Sequence, residues 1–510
     1  YGSHNVHGYV TTKNEGLLSL VSFQHQESAG YRNHSALNKN VLSWTGHFHL
    51  TEKQTLKTSF LFGDHFYETP GALTRTEYLN DPKGSRPAGG GFPSAVANQA
   101  SIRQRSFLAG ASYQLQLNAS FHIKTIAYGI FTELRNPAIR NYGQNSEPHT
   151  GGRIVLDYQK QFEKTALHLI AGGEWQQAYS TISIYKNKSG QADSLQTQDA
   201  INNRQQLAFT QASLDAGNWN LTAGLSWSQL KVGLQRFSPA TTGLLSRRFT
   251  NQFSPRAVLS KKLGKLLLYT GISKGFSPPA TTELSPSGSV LNLDLFPEKG
   301  WNTDAGIKAV LSRFYIDLNA FHFATENTIV QRRDAGGGES FINAGSTRQR
   351  GVETSIQYNG RARTGGNDPL FLWLSHSWHQ FEYVSFRQLA ADYSGNAMPG
   401  NPDHQLTVGG AVPLGPSFNL QGSYTYTSRT ALNDGNTEYG DPSHLVQINI
   451  RYQQVFSKKW LLKLMAGIEN ALDETYSLGY DINGAGGRYY NAAPGRSYFA
   501  GIGFTHLTKN

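Results

Sequence analysis

Apolar and polar residues alternate with a period of two along much of this chain. In one segment Trp219, Leu221 and Leu225 alternate with asparagine, threonine and glycine, and residues 418–427 and 446–453 repeat the pattern. Successive side chains of a β-strand point to opposite faces, so each segment predicts a strand with one apolar and one hydrophilic face. The segments run to about 9–14 residues, enough for a tilted strand to cross a bilayer. No helical periodicity competes with this pattern.

The connections between these segments alternate between short and long. The short ones are polar turns rich in Gly, Lys and Pro: Lys13–Gly16, Leu50–Gln54, Asp215–Asn218, Lys261–Lys265, Pro413–Ser417 and Ser457–Lys459. The long ones are His65–Gln99, Arg135–Thr150, Thr181–Asn202, Gln235–Thr250, Phe276–Gly300, Asn327–Arg348, His379–Pro402, Thr430–Ser443 and Ser477–Gly495. Short turns on one side and long loops on the other are typical of a transmembrane β-barrel with periplasmic turns and extracellular loops. The fold class predicted is therefore all-β, an antiparallel transmembrane barrel.

The number of predicted strands is odd. The alternating segments give about 21 strands, whereas closed single-chain bacterial barrels have an even number. Counting back from the last strand, Arg496–His506, makes the first segment, Asn5–Thr12, run toward the periplasm. We therefore expect residues 1–510 to form one barrel domain of the 22-stranded type whose first strand lies upstream. A lumen of that size is normally plugged, and no globular plug is encoded here.

Composition supports a wall between a wet and an apolar medium. Apolar residues are 38% and charged residues 16% of the chain, against about 45–50% and about 25% in ordinary globular proteins. The alternative of a soluble sandwich stays open, although the aromatic ends of the apolar faces resemble interfacial girdles. No stretch reaches the length of a membrane-spanning helix. Residues 1–14 contain no signal peptide pattern, so either the chain stays in the cytoplasm or its beginning has been removed.

Several short motifs resemble those of the TonB-dependent outer-membrane transporters, and the resemblance covers essentially the whole chain. They occur in the order and at the spacing of that family. The motifs are Gly30-Tyr31-Arg32, Ser273-Lys274-Gly275-Phe276 with Pro297-Glu298-Lys299, Asn343-Ala344-Gly345 with Arg350-Gly351-Val352-Glu353, and Glu469-Asn470-Ala471-Leu472-Asp473. In addition, Thr69-Pro70-Gly71-Ala72-Leu73-Thr74 and Asn80-Asp81-Pro82 look like the third loop of the branch that includes ferric citrate receptors.

The resemblance implies an active-transport receptor in the bacterial outer membrane that binds and imports a ferric siderophore or a similar iron chelate. It implies outer-membrane lipids and lipopolysaccharide as surroundings, and the TonB–ExbB–ExbD complex as a partner that acts through the plug. The plug is absent from this chain. A cobalamin, haem or glycan transporter of the same architecture, or a plug-free porin or export barrel, stays open as an alternative, as does a surface lipoprotein partner.

The net charge of +11 has two candidate uses. One is contact with anionic lipid head groups. The other is capture of an anionic chelate, for which arginine is suited because it holds carboxylates through two hydrogen bonds. Loop positions that combine arginine with aromatics fit the second use. They are Arg75, Tyr78 and Arg86 in the third loop, Arg135, Arg140 and Tyr142 in the fourth, Arg332 and Arg333 in the eighth, and Arg429 and Tyr439 near the tenth.

We predict no catalysis, no cofactor and no resident metal. The chain has no Cys, which excludes disulfides, iron–sulfur clusters and thiol catalysis. His4 and His7 have loose ligand spacing, but on an alternating strand they face opposite sides of the sheet. The basic residues are dispersed rather than clustered on one face, so nucleic-acid binding is not expected.

Overall fold

Antiparallel pairing between strands that follow each other in the chain builds almost the whole structure. The structure is a computed structural model, and it describes residues 1–285, 292–333, 339–360, 369–388, 391–457 and 459–506. In these ranges the principal sheet has 22 strands. Leu245–Arg248 and Gln252–Leu263 both pair with the same neighbour, at different heights, so they occupy one position in the wall. Counting them as one leaves 21 strand positions, which confirms the predicted number.

These wall strands are numbered in chain order, with Leu245–Arg248 as a detached extension of β11. The first eleven are β1 His4–Lys13, β2 Leu17–Ser28, β3 Leu37–Thr51, β4 Gln54–Glu68, β5 Ser101–Gln116, β6 Phe121–Pro137, β7 Asn141–Gln161, β8 Thr165–Lys188, β9 Gln191–Ala216, β10 Trp219–Ser238 and β11 Gln252–Leu263. The other ten are β12 Leu266–Ser277, β13 Glu298–Leu311, β14 Phe314–Glu326, β15 Ser346–Asn359, β16 Phe371–Ser385, β17 His404–Pro413, β18 Phe418–Thr427, β19 Ser443–Phe456, β20 Trp460–Glu469 and β21 Ser497–His506.

Short elements lie in the loops. The short strands are Leu73–Thr74, Ile329–Arg333, Glu339–Asn343, Arg387–Gln388, Ala391–Asp392, Thr430–Ala431, Tyr439–Gly440, Ser477–Tyr480 and Arg488–Ala492. The helices are α1 Arg75–Asn80, α2 Thr281–Leu284 and a 3-10 turn at Ala485–Gly487. Within the described ranges, no helix has the length and apolarity needed to cross a membrane.

The wall has one face of exposed apolar side chains, as the alternation predicts. On β10, Trp219, Leu221 and Leu225 are 46%, 48% and 45% exposed. The residues between them, such as Asn220 and Thr222, are half-buried and hydrogen-bond to the neighbouring strand or to each other. Large apolar groups left exposed in register on strand after strand form a band that suits lipid rather than water.

The turns lie at one end of the strands and the large loops at the other. Five of the six predicted short turns are confirmed, for example 217–218 between β9 and β10 and 264–265 between β11 and β12. The sixth, Ser457–Lys459, includes residue 458, which lies outside the described residues. Two of the predicted long loops are wrong. Arg135–Thr150 and Thr181–Asn202 are mostly paired strand, and only 138–140 and 189–190 connect these hairpins. The β-ladders continue well above the apolar band, up to the 26 residues of β9.

The two outermost strands of the sheet are β1 and β21. In the described part of the chain, β1 pairs with β2 alone and β21 with β20 alone. Buried apolar side chains lie mainly beyond the wall, in three clusters among the loops and the extended strand ends. The loop end of the barrel therefore carries the packed cores of this protein.

Candidate functional site

One loop core is formed by three segments that are far apart in the sequence: 69–100, 428–442 and 470–496. We call its buried side chains the tyrosine cluster. Its members are Leu73, Tyr78, Leu432, Tyr489, Tyr490 and Ala492, with Tyr31, Tyr480 and Ile482 packed against them. The rings of Tyr78 and Tyr490 stack with centroids 4.9 Å apart. Offset aromatic stacking of this kind adds to the free energy gained by burying the rings.

Helix α1 carries two of the predicted residues, Tyr78 inside this cluster and Arg75 at its edge. Thr74 caps the helix and accepts a hydrogen bond from the Glu77 backbone, while Glu77 reaches back to the Thr74 backbone. Such a capping box fixes where a helix begins. Glu77 also holds Arg488, with Arg488 Nη2 2.9 Å from Glu77 Oε1. Burial raises the pKa of Glu77, but the hydrogen bonds from Arg488 and Thr74 outweigh it and hold that pKa below its usual range.

Arg75 and Arg429 lie at the edge of the tyrosine cluster. Arg75 donates to the Tyr490 hydroxyl at 3.2 Å and pairs with Asp441 at 3.0 Å. The Arg429 guanidinium lies 3.6 Å from the ring centroid of Tyr439, a cation–π contact. Burial raises the pKa of Tyr480 to about 12 and raises that of Tyr490, so these phenols are neutral donors at physiological pH.

Arg32 and Arg86 fix the path of the 69–100 segment. Arg32 is 6% exposed and donates to the carbonyl oxygens of Gly71 and Gly84 at 2.7 Å and 2.9 Å. Gly71 has φ +74°, a left-handed conformation that favours glycine. Arg86 lies against Gly71, and burial followed by the charge of Arg488 lowers its pKa. The predicted Arg86 is therefore close to the Arg488–Glu77 pair.

Arg332 is the predicted residue with the most unusual surroundings. Its Nη1 pairs with Asp434, whose other oxygen accepts from the Tyr383 hydroxyl at 2.6 Å. The guanidinium lies 5.1 Å from the Phe386 ring centroid. Arg332 Nε and Nη2 are both enclosed, and among the described residues neither has a hydrogen-bond partner. These two nitrogens form the edge of the guanidinium that binds a carboxylate bidentately.

The 428–442 segment connects Arg332 to the tyrosine cluster. Leu432 is fully buried in that cluster, and the backbone of Asp434 donates to Asn483 at 3.0 Å. Asn483 in turn donates to the Gln331 carbonyl at 3.2 Å. Six of the predicted residues therefore meet in one contiguous group of loops. They are Arg75, Tyr78, Arg86, Arg332, Arg429 and Tyr439.

The other predicted residues lie elsewhere. Arg135 and Tyr142 were expected in a loop but are in strands β6 and β7, because that hairpin continues almost to its tip. Arg135 pairs with Glu133 at 2.7 Å, and Tyr142 contacts Tyr185 edge-on. Arg140 is in the 138–140 connection. The side chain of Arg333 lies outside the described residues.

Several residues of this site are not among the predicted ones. Arg488, Tyr489 and Tyr490 satisfy the same rule, arginine beside aromatics in a long loop, and applying it to the last loop would have found them. Arg32 belongs to the Gly30-Tyr31-Arg32 motif, but its contact with the 69–100 segment appears only in the structure, and Asp434 carried no signal in the sequence. In the described ranges, the group with metal-ligating spacing is His4, His25 and Glu27, on β1 and β2 and outside these loops.

The lipid-suited band, the short turns and the packed loop end define a transmembrane β-barrel of the outer-membrane receptor class. The family model described as "TonB dependent receptor-like, beta-barrel" matches residues 30–471. The chain therefore belongs to the TonB-dependent receptor family. Receptors of this family are transporters of the outer membrane rather than enzymes, and they bind iron chelates and interact with TonB through a plug.

Solved structures share the fold at low sequence identity. The unliganded ferric citrate transporter FecA matches with a TM-score of 0.79 and 18% identity, over 99% of this chain and 75% of that one. The siderophore receptor PiuA from Acinetobacter baumannii matches with a TM-score of 0.77 and 13% identity, over 99% of this chain and 79% of that one. The copper transporter OprC matches with a TM-score of 0.74 and 14% identity, also over 99% of this chain and 79% of that one. Because these neighbours differ in cargo, the likeness describes the fold and leaves the ligand to the loops.

Proposed function

We propose that this chain forms the wall and ligand funnel of an outer-membrane receptor that imports a ferric siderophore or a similar anionic iron chelate. Transport would be energised by TonB through a plug. The observation that carries the choice of an anionic ligand is the edge of Arg332 formed by Nε and Nη2, for which the described residues supply no hydrogen-bond partner. Ferric citrate transporter FecA among the structural neighbours is consistent with this choice.

Two enclosed donors without partners are costly to a folded protein. Each unsatisfied buried donor costs about 1–3 kcal/mol, and more when the group is charged. Asp434 satisfies one side of the Arg332 guanidinium, and Phe386 covers a face. A ligand carboxylate or another bidentate oxyanion would complete the remaining edge. Since the edge is enclosed, we expect the surrounding loops to part when the ligand enters.

The nearby residues suit the same chemistry. Arg75 is half-exposed at the edge of the tyrosine cluster, and Arg429 lies over Tyr439. Neutral tyrosine hydroxyls can donate to oxyanions, and their rings can contact the apolar parts of a chelator. We therefore propose that the ligand lies among the described segments 327–333, 339–345, 428–442 and 470–496.

Binding titrations on the protein in detergent test the proposal. Ferric citrate, a ferric hydroxamate, haem, cobalamin and a glycan would be compared by intrinsic tryptophan quenching or calorimetry. We expect saturable binding of an anionic ferric chelate. Tight binding of haem, cobalamin or a glycan alone would overturn the choice of ligand. A large open conductance of the complete protein would favour a porin or export barrel instead.

A conservative variant isolates the role of Arg332. Arg332→Lys keeps the charge beside Asp434 but removes the bidentate edge, so we expect chelate affinity to fall by about 10- to 100-fold. The matched control is Arg135→Lys, which changes an exposed arginine paired within its own hairpin. Equal affinity in wild type and Arg332→Lys would show that the edge does not contact ligand.

We also propose that one further strand and a plug domain complete this barrel, as the odd number of strands predicts. Support comes from the outermost strands, since β1 and β21 each have one partner among the described residues. An antiparallel strand between them would satisfy both edges. The residues directly upstream of Tyr1 in the native protein test this, and a native barrel that closes and functions without a plug polypeptide would contradict it.

A further inference from the structure

A group of metal-ligating side chains lies on β1 and β2, outside the loop site. The β1–β2 ladder pairs His4 directly with Glu27 and Val6 with His25, so all three ligating residues share one face of the sheet. His4 Nε2 is 3.4 Å and His25 Nε2 is 3.7 Å from Glu27 Oε2. The ligating atoms of the three residues all lie within 4.8 Å of one another.

These separations fit a single ion. Zinc binds histidine nitrogen and carboxylate oxygen at about 2.0–2.2 Å, which in a tetrahedron puts neighbouring ligand atoms about 3.3–3.5 Å apart. Two of the three pairs already have nearly this spacing. His4 is the most exposed of the three, with a side chain 60% exposed, so it is free to rotate and close the remaining gap. Two histidines and a glutamate would leave the fourth position open to water or an anion.

Asn40 on β3 orients one of the ligands. Its Oδ1 lies 2.8 Å from His25 Nδ1, and its own amide donates to Asn38 Oδ1 at 3.0 Å, which fixes the direction of the amide. An amide oxygen accepts only, so the neutral His25 ring carries its proton on Nδ1. Nε2 then has a free lone pair directed at Glu27 and His4. Metal-ligating histidines are usually held in this way through their second nitrogen.

The group lies on the face of the wall that carries the exposed apolar side chains, at the loop end of the apolar band. Val6, Phe23 and Leu42 are on the same face and are 60%, 46% and 41% exposed. His25 and Glu27 are near the end of β2 that leads into the 29–36 loop. His7 belongs to the opposite face of β1 together with Thr11. A site here is open to the membrane surface and separate from the barrel lumen.

We propose that His4, His25 and Glu27 bind one zinc ion across the β1–β2 ladder. The ion would join β1, which has one strand partner in the described part of the chain, to β2. It would also present an open coordination position at the level of the outer head groups. Zinc fits better than calcium or magnesium because imidazole is a ligand for zinc and its neighbours in the transition series. This site does not depend on the chelate-binding proposal.

Zinc calorimetry on the chelator-treated protein, prepared in detergent without a histidine tag, tests the site. We expect one tight site in wild type and its loss in His25→Gln and in Glu27→Gln. His7→Gln is the matched control, because it removes a histidine from the same strand but from the opposite face. Circular dichroism would establish that each variant retains the barrel. Equal loss of zinc binding in His7→Gln, or no loss of zinc binding in His25→Gln, would overturn the proposal.

Two further measurements separate a metal site from a simple ion pair between histidine and glutamate. Asn40→Ala should lower the affinity for zinc by about 10- to 100-fold, as mutation of other residues that orient a metal ligand does. Asn40→Asp should restore that affinity. Copper(II) bound in place of zinc should show two coordinated nitrogens by electron paramagnetic resonance in wild type and one in His25→Gln. Two nitrogens in both proteins would show that other histidines bind the ion.

Discussion

Two of the three packed cores beyond the membrane are built in different ways. One, which we call the outer extension, consists of the upper parts of β8, β9 and β10 with α2 and with Phe249, which precedes β11. Its buried residues are Ile182, Ile201, Leu230, Val232, Leu234, Phe249 and Leu284. The other is the tyrosine cluster. Both are apolar inside and polar at the rim, but the outer extension uses one stretch of about a hundred residues and the tyrosine cluster joins segments about 400 residues apart.

The difference explains what each core can do. The outer extension continues the wall's own β-ladders, and its Arg236–Asp199 pair at 2.8 Å joins adjacent strands. It can form as soon as the hairpins pair. The tyrosine cluster is connected by Arg75 to Tyr490 and by Arg488 to Glu77, contacts between opposite parts of the sequence. It can form only after the barrel has brought those loops together, so we expect it to be the more easily opened core.

The largest expected effect is opening of the tyrosine cluster by Tyr490→Ala. This side chain is 2% exposed and stacks on Tyr78, and truncating a buried aromatic costs about 3–5 kcal/mol. We expect faster proteolysis within 69–100 and weaker chelate binding, with the barrel intact. Tyr490→Phe keeps the stack and loses only the hydroxyl's hydrogen bonds with Arg75 and the Tyr439 carbonyl, so it should resemble wild type in proteolysis. Equal protease resistance in Tyr490→Ala would contradict the assigned packing.

Leu234→Ala tests the outer extension and should destabilise it somewhat less than Tyr490→Ala destabilises the tyrosine cluster. Leu234 is fully buried in the outer extension, and Leu→Ala in a core costs about 2–5 kcal/mol. We expect loosening of the β9–β10 ladder, measured by hydrogen exchange in its upper part. Chelate affinity should be unchanged, because the outer extension contributes none of the residues placed around the ligand. A parallel loss of binding would show that the two cores are coupled.

A smaller and reversible effect is expected from alkaline pH. Burial raises the pKa of Tyr480 to about 12 and raises those of Tyr78 and Tyr490, whereas an unfolded tyrosine titrates near about 10. A raised pKa contributes stability that is complete below pH 10 and is lost as the pH rises through about 12. The cluster should therefore loosen in this window before the outer extension does.

The order in which the two cores loosen at alkaline pH can be followed with a single fluorescent label, because the chain has no Cys. A fluorophore on Leu79→Cys would report on the tyrosine cluster, because Leu79 is in α1 and 60% exposed. One on Leu244→Cys would report on the outer extension, where Leu244 is 67% exposed. Tyr480→Phe should shift the first transition to higher pH. Simultaneous transitions at both labels would contradict the order.

The smallest effect is expected from Asp441→Asn. The Arg75–Asp441 pair is at the surface, with the Asp441 side chain 65% exposed, and such pairs contribute less than about 1 kcal/mol. Denaturation and loop proteolysis should match wild type. Chelate affinity should stay the same or rise slightly, since Arg75 gains freedom to contact an anion. Marked destabilisation would mean that the pair has a structural role that its exposure does not indicate.

The wall could be predicted from the sequence because its determinants are local. A strand's two faces follow from alternation, as at Trp219 to Leu225, and turns such as 217–218 follow from their own residues. The structure of the loops was harder to predict from the sequence. Thr181–Asn202 reads as a polar loop because it is rich in Ser, Thr, Gln and Asp, yet Ile182 and Ile201 are buried and the segment pairs as strand. A ladder extending above a membrane is polar on both faces except where another element covers it.

Sequence by itself determined the barrel, the direction of its loops and the kinds of residues available at its rim. The tertiary structure decided which of them meet. Arg332 and Arg75 belong to one group of loops, Arg135 does not, and His4 faces Glu27 on the next strand rather than pairing with His7. The physical reason is that alternation is written within each strand, while a site is set by contacts between strands and loops whose register no single segment encodes.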